Sequence, residues 1–266
     1  MCPTCRAIRT ESCNAAPLAR YGRPTLSVKL DILSDPICPW CYIGKTQLDR
    51  ALAQRPAHPF VIEWHPFQLN PDMPREGMGR RDYLVGKFGE DGADRAYGQI
   101  AEHARSLGIE ADFDAITRTP NTLDAHRLIH WAGLENCQGP VIDGLFAANF
   151  REGRDIGQHD VLADIADSAG MDAALVTRLL QSDADVQAIR DRDAHSRQMG
   201  VNSVPTFIVA NKHAVPGAQP VELWLKVIDE IAQQIAADDT ADDTADDTAE
   251  AAGTAAPRGP GDTTPE

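Results

Sequence analysis

Cys38-Pro39-Trp40-Cys41 holds the residues best suited to chemistry in this chain. A thiol attacks a disulfide only as the thiolate, and an ordinary cysteine with a pKa of about 8.5 is mostly protonated at neutral pH. The mouth of a helix offers a remedy, because unpaired backbone N–H groups and the helix dipole favour negative charge there. Pro39 suits a first helical turn, where its missing N–H would go unpaired in any case. Cys38 then stands at the entrance, and Cys41 follows almost one turn later with its sulfur alongside. This arrangement reads as an attacking thiolate, Cys38, and a resolving thiol, Cys41, that frees the substrate from a mixed disulfide. Trp40 carries no charge, so stabilisation of the thiolate rests on the helix end, and the indole is expected to cover apolar surface nearby.

Two other uses of these cysteines compete with redox chemistry: burial as core thiols, and half of a zinc site. A proline between paired cysteines at a helix start is no requirement of a core. A four-ligand zinc site would need partners such as Cys2 and Cys5. Those lie in a stretch with no foldable pattern, so no metal is expected. Cys2-Pro-Thr-Cys5 has the same spacing as the first pair, but it follows no strand and enters no convincing helix. Cys2, Cys5, Cys13 and Cys137 read as bystanders.

The elements around the motif can be read from periodicity. Residues 27–33 alternate as a strand, Asp35-Pro36 turns the chain, and a helix runs from Pro39 through Leu48 and Leu52. Pro56 and Pro59 end it, and residues 60–65 form a second strand closed by Pro66. Helical spacing then covers 79–88, 91–107, 121–136, 138–152, 159–169, 172–181 and 184–199, with almost no strand signal. Strand character returns over 201–210 and 212–215, before a helix at 221–235. In Ser203-Val204-Pro205-Thr206-Phe207, a proline enters a strand, which demands an edge, a first-strand position or a bulge. Such an X-Pro bond tolerates the cis form at a cost of only about 0.5–1 kcal/mol.

Four segments together resemble the DsbA-like thioredoxin superfamily, and within it the FrnE-like subgroup. They are Asp35-Pro-Ile-Cys-Pro-Trp-Cys-Tyr-Ile-Gly-Lys45, Trp64-His-Pro-Phe-Gln-Leu-Asn-Pro71, Asn121-Thr-Leu-Asp-Ala-His-Arg-Leu128 and Gly200-Val-Asn-Ser-Val-Pro-Thr-Phe207. Ala214-Val-Pro-Gly-Ala-Gln219 resembles the closing turn of that family, departing from it at Pro216 where a small residue is expected. The resemblance implies an α/β, thioredoxin-like fold with a mixed sheet and an inserted all-helical domain. Residues 27–78 and 200–236 would form the thioredoxin-like part and 79–199 the insert. It also implies a cis Pro205 packed against the Cys38/Cys41 pair, with Val204, Pro205 and Thr206 as the substrate-binding loop. Val204 would offer backbone hydrogen bonds to an extended substrate. Expected substrates are proteins or peptides containing disulfides, with no bound cofactor and with glutathione or a thioredoxin system as redox partner.

Two further functions sit on the same scaffold. Glutathione-dependent 2-hydroxychromene-2-carboxylate isomerases and kappa-class glutathione transferases resemble the chain too. They carry a serine-type residue where Cys38 stands, and the presence of both cysteines favours dithiol chemistry. A redox-inert chaperone that holds unfolded chains on its helical part is the other alternative. His126 and Arg127 fall on a helix that faces the thiol site in such folds, although a structural role serves them equally well. His65 reads as a strand-end residue, and Trp131 and Trp224 as core aromatics.

More than half of the net charge of −15 sits in residues 237–266, where nine acidic side chains face Arg258 alone. Ala-Asp-Asp-Thr recurs three times over 237–248. It lacks the glycine and glutamate of an EF-hand loop, so it reads as a solvated, disordered acidic tail and no calcium site. Residues 1–26 read as a disordered leader. No basic patch points to nucleic acid, and no apolar run is long enough for a membrane span. The N-terminal stretch has no apolar centre for a secretory signal, which leads to an expectation of a cytoplasmic protein. A homodimer is compatible with the sequence.

Overall fold

A computed structural model of the chain describes residues 27–252. The expected leader and its Cys2, Cys5 and Cys13 lie outside these residues, as does 253–266. The chain opens with β1 (Val28–Ser34), α1 (Pro39–Gln54) and β2 (Phe60–Pro66). Next come β3 (Met78–Gly79), α2 (Arg80–Phe88), α3 (Glu90–Ser106) and β4 (Arg118–Thr119). Five helices follow: α4 (Leu123–Leu134), α5 (Gln138–Phe150), α6 (His159–Ser168), α7 (Ala173–Leu180) and α8 (Val186–Gln198). The described chain closes with β5 (Thr206–Val209), β6 (His213–Pro216) and α9 (Val221–Ala252).

The main sheet has the order β2-β1-β5-β6, with β1 parallel to β2 and antiparallel to β5. It is therefore mixed, as expected of a thioredoxin-like fold. Because β1 is central, both of its faces are covered, and Leu30, Asp31, Ile32, Leu33 and Ser34 are all buried. Pro216 ends up on β6 at the sheet edge, where a missing N–H disturbs no ladder. At the other edge, the Gln138 amide occupies the place of a neighbouring strand. It accepts from the Trp64 N–H at 2.9 Å and donates to the Trp64 carbonyl at 3.2 Å.

Helices α1 and α9 pack together, with the Phe207 ring edge-on to Trp224 at 4.7 Å. Arg55, at the end of α1, donates to both carboxylate oxygens of Asp229 on α9. Helices α4 and α8 lie against β2. A single hydrophobic cluster joins Leu30 and Ile32 of the sheet to Leu128 and Phe146 of the helical segment. The sheet and the inserted helices thus share a core. Arg127 is a structural residue of that core, 1% exposed. It pairs with Asp124 and donates to the carbonyls of Leu179 in the last turn of α7 and of Ser182 and Ala184 in the α7–α8 connection.

The structure departs from the sequence reading in two places. The segment 79–199 is not free of strands, since β3 and β4 form a two-residue antiparallel ladder. Gly77 makes this approach feasible: its φ is +67°, and a Cβ there would lie 2.6 Å from the Thr119 carbonyl oxygen. So short a pairing leaves no periodicity to detect. The second departure lies within the tail expected to be disordered, because α9 continues through 237–252; residues 253–266 lie outside the described residues. No glycine or proline interrupts the chain between Pro220 and Gly253, and alanine is the strongest helix former.

Candidate active site

Cys38 is the N-cap of α1 and Pro39 its first residue. The turn that delivers it is built by Asp35. The Asp35 carbonyl accepts from the Cys38 N–H at 2.9 Å, while its Oδ1 accepts from the Ile37 N–H at 3.3 Å. Cys41 lies one turn into the helix, and its N–H donates to the Cys38 carbonyl at 3.0 Å. Both cysteines are free thiols; Cys38 is 4% exposed and Cys41 wholly buried. Burial pushes the Cys41 thiol well above its ordinary pKa, with the neighbouring Cys38 adding to the effect. The Ser34 hydroxyl and the Asp35 N–H pull weakly the other way.

Across from α1 comes the loop that enters β5, where the Val204–Pro205 peptide bond is cis. The Cys38 S–H donates to the Val204 carbonyl at 3.6 Å, across 166 residues of sequence. Thr206 caps the loop through a 2.8 Å bond from its hydroxyl to the Ser203 carbonyl, and the Pro205 carbonyl accepts from the Gly217 N–H. Gly44 permits the close fit. A Cβ there would lie 3.1 Å from the Pro205 ring and 3.3 Å from Ala218. Cys38, Cys41, Pro39, Val204, Pro205 and Thr206 are thus brought together. Trp40 stands at the rim, 40% exposed, with its ring 5.4 Å from that of His103 on α3.

The Val204 carbonyl accepts a long contact from the Cys38 thiol, and its oxygen has a second lone pair. His65 is tied between Asp31 and Arg192 and lies away from the cysteines. Asp31, Glu63 and His65 have metal-ligand geometry, but the Lys29 ammonium sits 3.0 Å from both carboxylates and supplies the positive charge itself.

Sequence reasoning gave Asp35 only a turn, yet it is the buried anchor of the site. Its Oδ2 accepts from the Leu69 N–H at 2.6 Å and from the Thr122 hydroxyl at 3.4 Å, joining the Cys38 turn to the start of α4. His126 Nε2 lies 3.9 Å from Oδ1, and burial lowers the His126 pKa to about 4. Complete burial raises the Asp35 carboxyl from 3.8 to about 7, against those three hydrogen bonds. An unfolded chain would release this proton near its ordinary value while the folded protein keeps it. The resulting stabilisation is full below about pH 4 and is lost as pH rises towards 7, on the order of 1.4 kcal/mol per intervening pH unit. Asp35→Asn should therefore gain stability over the parent progressively from about pH 4 to 8. Urea midpoints measure this, and a constant difference across that range would show an ordinary carboxyl. The Asp-Pro turn was the available sequence signal.

In front of Cys38 lies a cavity of about 280 Å³, bounded by α2, the β3–β4 pair, Trp40 and Val204. Arg80, Tyr83 and Lys87 of α2 line one wall. The sequence reading passed over them, although their spacing of three and four residues places them on one helix face.

A dithiol at a helix entrance, faced by a cis-proline loop on a mixed sheet, defines a thioredoxin-type site. The chain belongs to the DSBA-like thioredoxin domain family, which it matches over residues 29–229. It is 28% identical to the Bacillus subtilis (strain 168) protein YwbO over 210 residues, covering 77% of this chain and 98% of that one. Among solved structures, a probable DsbA oxidoreductase, SCO1869 from Streptomyces coelicolor, superposes with a TM-score of 0.67 at 27% identity. The match covers 76% of this chain and 89% of that one. The cytosolic disulfide reductase DsbM from Pseudomonas aeruginosa, solved with GSH, shares the fold at a TM-score of 0.57 and 17% identity, covering 77% and 99%. No helix among the described residues is long and apolar enough to cross a membrane.

Proposed function

We propose that the protein is a thiol–disulfide oxidoreductase acting through Cys38 and Cys41, with Pro39 and Trp40 shaping the motif and Val204-Pro205-Thr206 receiving the substrate. The observation that carries this reading is the placement of the Cys38 sulfur at the N-cap of α1, against the Val204 carbonyl and one turn before Cys41. The Cys38 thiolate attacks one sulfur of a substrate disulfide. A new S–S bond forms to Cys38, and the other substrate sulfur leaves as a thiolate that takes up a proton. Cys41 then gives up its proton and attacks the Cys38 sulfur, expelling the second substrate sulfur. Two electrons pass to the substrate, and the protein is left with a Cys38–Cys41 disulfide. The same steps run backwards in oxidation, and the direction depends on the potential of the couple against that of its surroundings. In isomerisation a second substrate thiol, instead of Cys41, attacks the mixed disulfide and releases Cys38 with no net electron transfer.

The raised pKa of Cys41 suits this order. A protonated, buried resolving thiol does not compete with Cys38 for the substrate, and it reacts only once the mixed disulfide brings a leaving group to it. The substrates are disulfides of proteins or peptides, the location is the cytoplasm, and glutathione or a thioredoxin system restores the dithiol.

Equilibration with mixtures of reduced and oxidised glutathione tests this reading. Cys38 and Cys41 should interconvert between dithiol and disulfide as a single two-electron couple, with a tenfold change in the equilibrium for each ~30 mV. Mass spectrometry showing only a non-covalent glutathione complex, with no internal disulfide, would instead indicate the glutathione-dependent isomerase or transferase reading.

A further inference from the structure

Arg80, Tyr83 and Lys87 form one stripe of α2 that faces the cavity before Cys38. The Arg80 guanidinium lies over the Tyr97 ring at 4.1 Å, and its Nη2 is buried with no hydrogen-bond partner. Lys87 donates to the Tyr83 hydroxyl at 2.9 Å, and its ammonium lies 5.3 Å from the centre of that ring. Neither cation has a carboxylate partner among the described residues. Arg118, on the same cavity, is partly engaged by Asp155 at 3.5 Å. Among the described residues no aspartate or glutamate lines this cavity, in a chain whose net charge is −15. Such a segregated patch of positive charge at a recessed thiol focuses the field on an incoming anion.

We propose that Arg80 and Lys87 are specificity-determining residues that receive a carboxylate beside the sulfur attacked by Cys38. The preferred substrates are then peptide disulfides in which an acidic residue neighbours the cysteine. Tyr97 holds the Arg80 fork at the cavity wall, where its unpaired nitrogen still lacks an acceptor that a carboxylate would supply. Lys87, held over Tyr83 and exposed, supplies a second charge about two turns along the same helix. The cavity has room for a cysteine and its immediate neighbours, so the charge that matters is adjacent to the reacting sulfur. The proposal rests on Cys38 being the attacking thiol.

Its test uses three short peptide disulfides that differ only in the residue next to cysteine: glutamate, glutamine or lysine. Reduction by the full chain should have a kcat/KM for the glutamate peptide about tenfold above that for glutamine, with lysine slowest. The glutamate advantage should shrink at high salt. Arg80→Met and Lys87→Met should each bring the glutamate-to-glutamine ratio towards one. This ratio is independent of the amount of folded protein, and exposed Lys87 keeps the test intact if Arg80→Met fails to fold. Equal rates for glutamate and glutamine, or a lysine preference, would overturn the charge proposal while leaving the dithiol reading standing. No reduction of any peptide would overturn both.

Discussion

Cys38→Ser is expected to lower disulfide reduction by at least about a thousandfold, as removal of a catalytic nucleophile does elsewhere. Insulin or a peptide disulfide serves as substrate, with glutathione recycling. Cys41 cannot take over, since it is wholly buried behind Cys38 and its thiol is held protonated at neutral pH. Cys41→Ser should behave differently. Its Cys38 still attacks, but nothing expels the second substrate sulfur, so a mixed disulfide accumulates and appears as added mass. Trapping on Cys41 in the Cys38→Ser variant would reverse the two roles. The same variant separates catalysis from holding: suppression of aggregation that survives intact in Cys38→Ser would support a chaperone function independent of the thiols.

The second large effect concerns stability. Arg127→Leu should cost about 3–5 kcal/mol, the range for removing one partner of a buried charged pair. Its guanidinium is the shared donor for Asp124 and for the carbonyls of Leu179, Ser182 and Ala184. Leucine would fill the volume and leave that carboxylate and those carbonyls short of a donor. His159, 3.0 Å from the other Asp124 oxygen, can compensate only in part. Urea denaturation at neutral pH measures the change, and a loss below about 1 kcal/mol would show that water replaces the guanidinium. Because α4 carries both Arg127 and His126, weakening this anchor should also loosen the contact of α4 with the Asp35 turn.

Much of the architecture was legible in the chain because its causes are local. The strand over β1, the entry of α1 at Pro39 and the succession of α2 to α8 follow from periodicity, proline and glycine, which act over a few residues. The Cys38-Pro39-Trp40-Cys41 motif at a helix entrance is likewise a local fact. The ladder of β3 and β4 escaped notice because two residues carry no period. The continuation of α9 did so because the acidic repeat has little apolar surface to bury, which by itself argues against a folded element.

What only the tertiary structure decided is the company these residues keep. Spacing along the chain determines which cysteines are paired and which one meets the helix dipole. It does not determine that the Val204 carbonyl closes on the Cys38 sulfur from 166 residues away, since loop closure costs little more for a long connection than for a short one. Asp35 could be read as a turn former, but its raised pKa comes from complete burial in the folded protein, which outweighs the hydrogen bonds it accepts from Leu69 and Thr122. The positive wall of the cavity is decided in the same way. Arg80 and Lys87 are ordinary cations in the sequence, and only folding brings them to the cavity before the thiol, with no carboxylate among the described residues that line it.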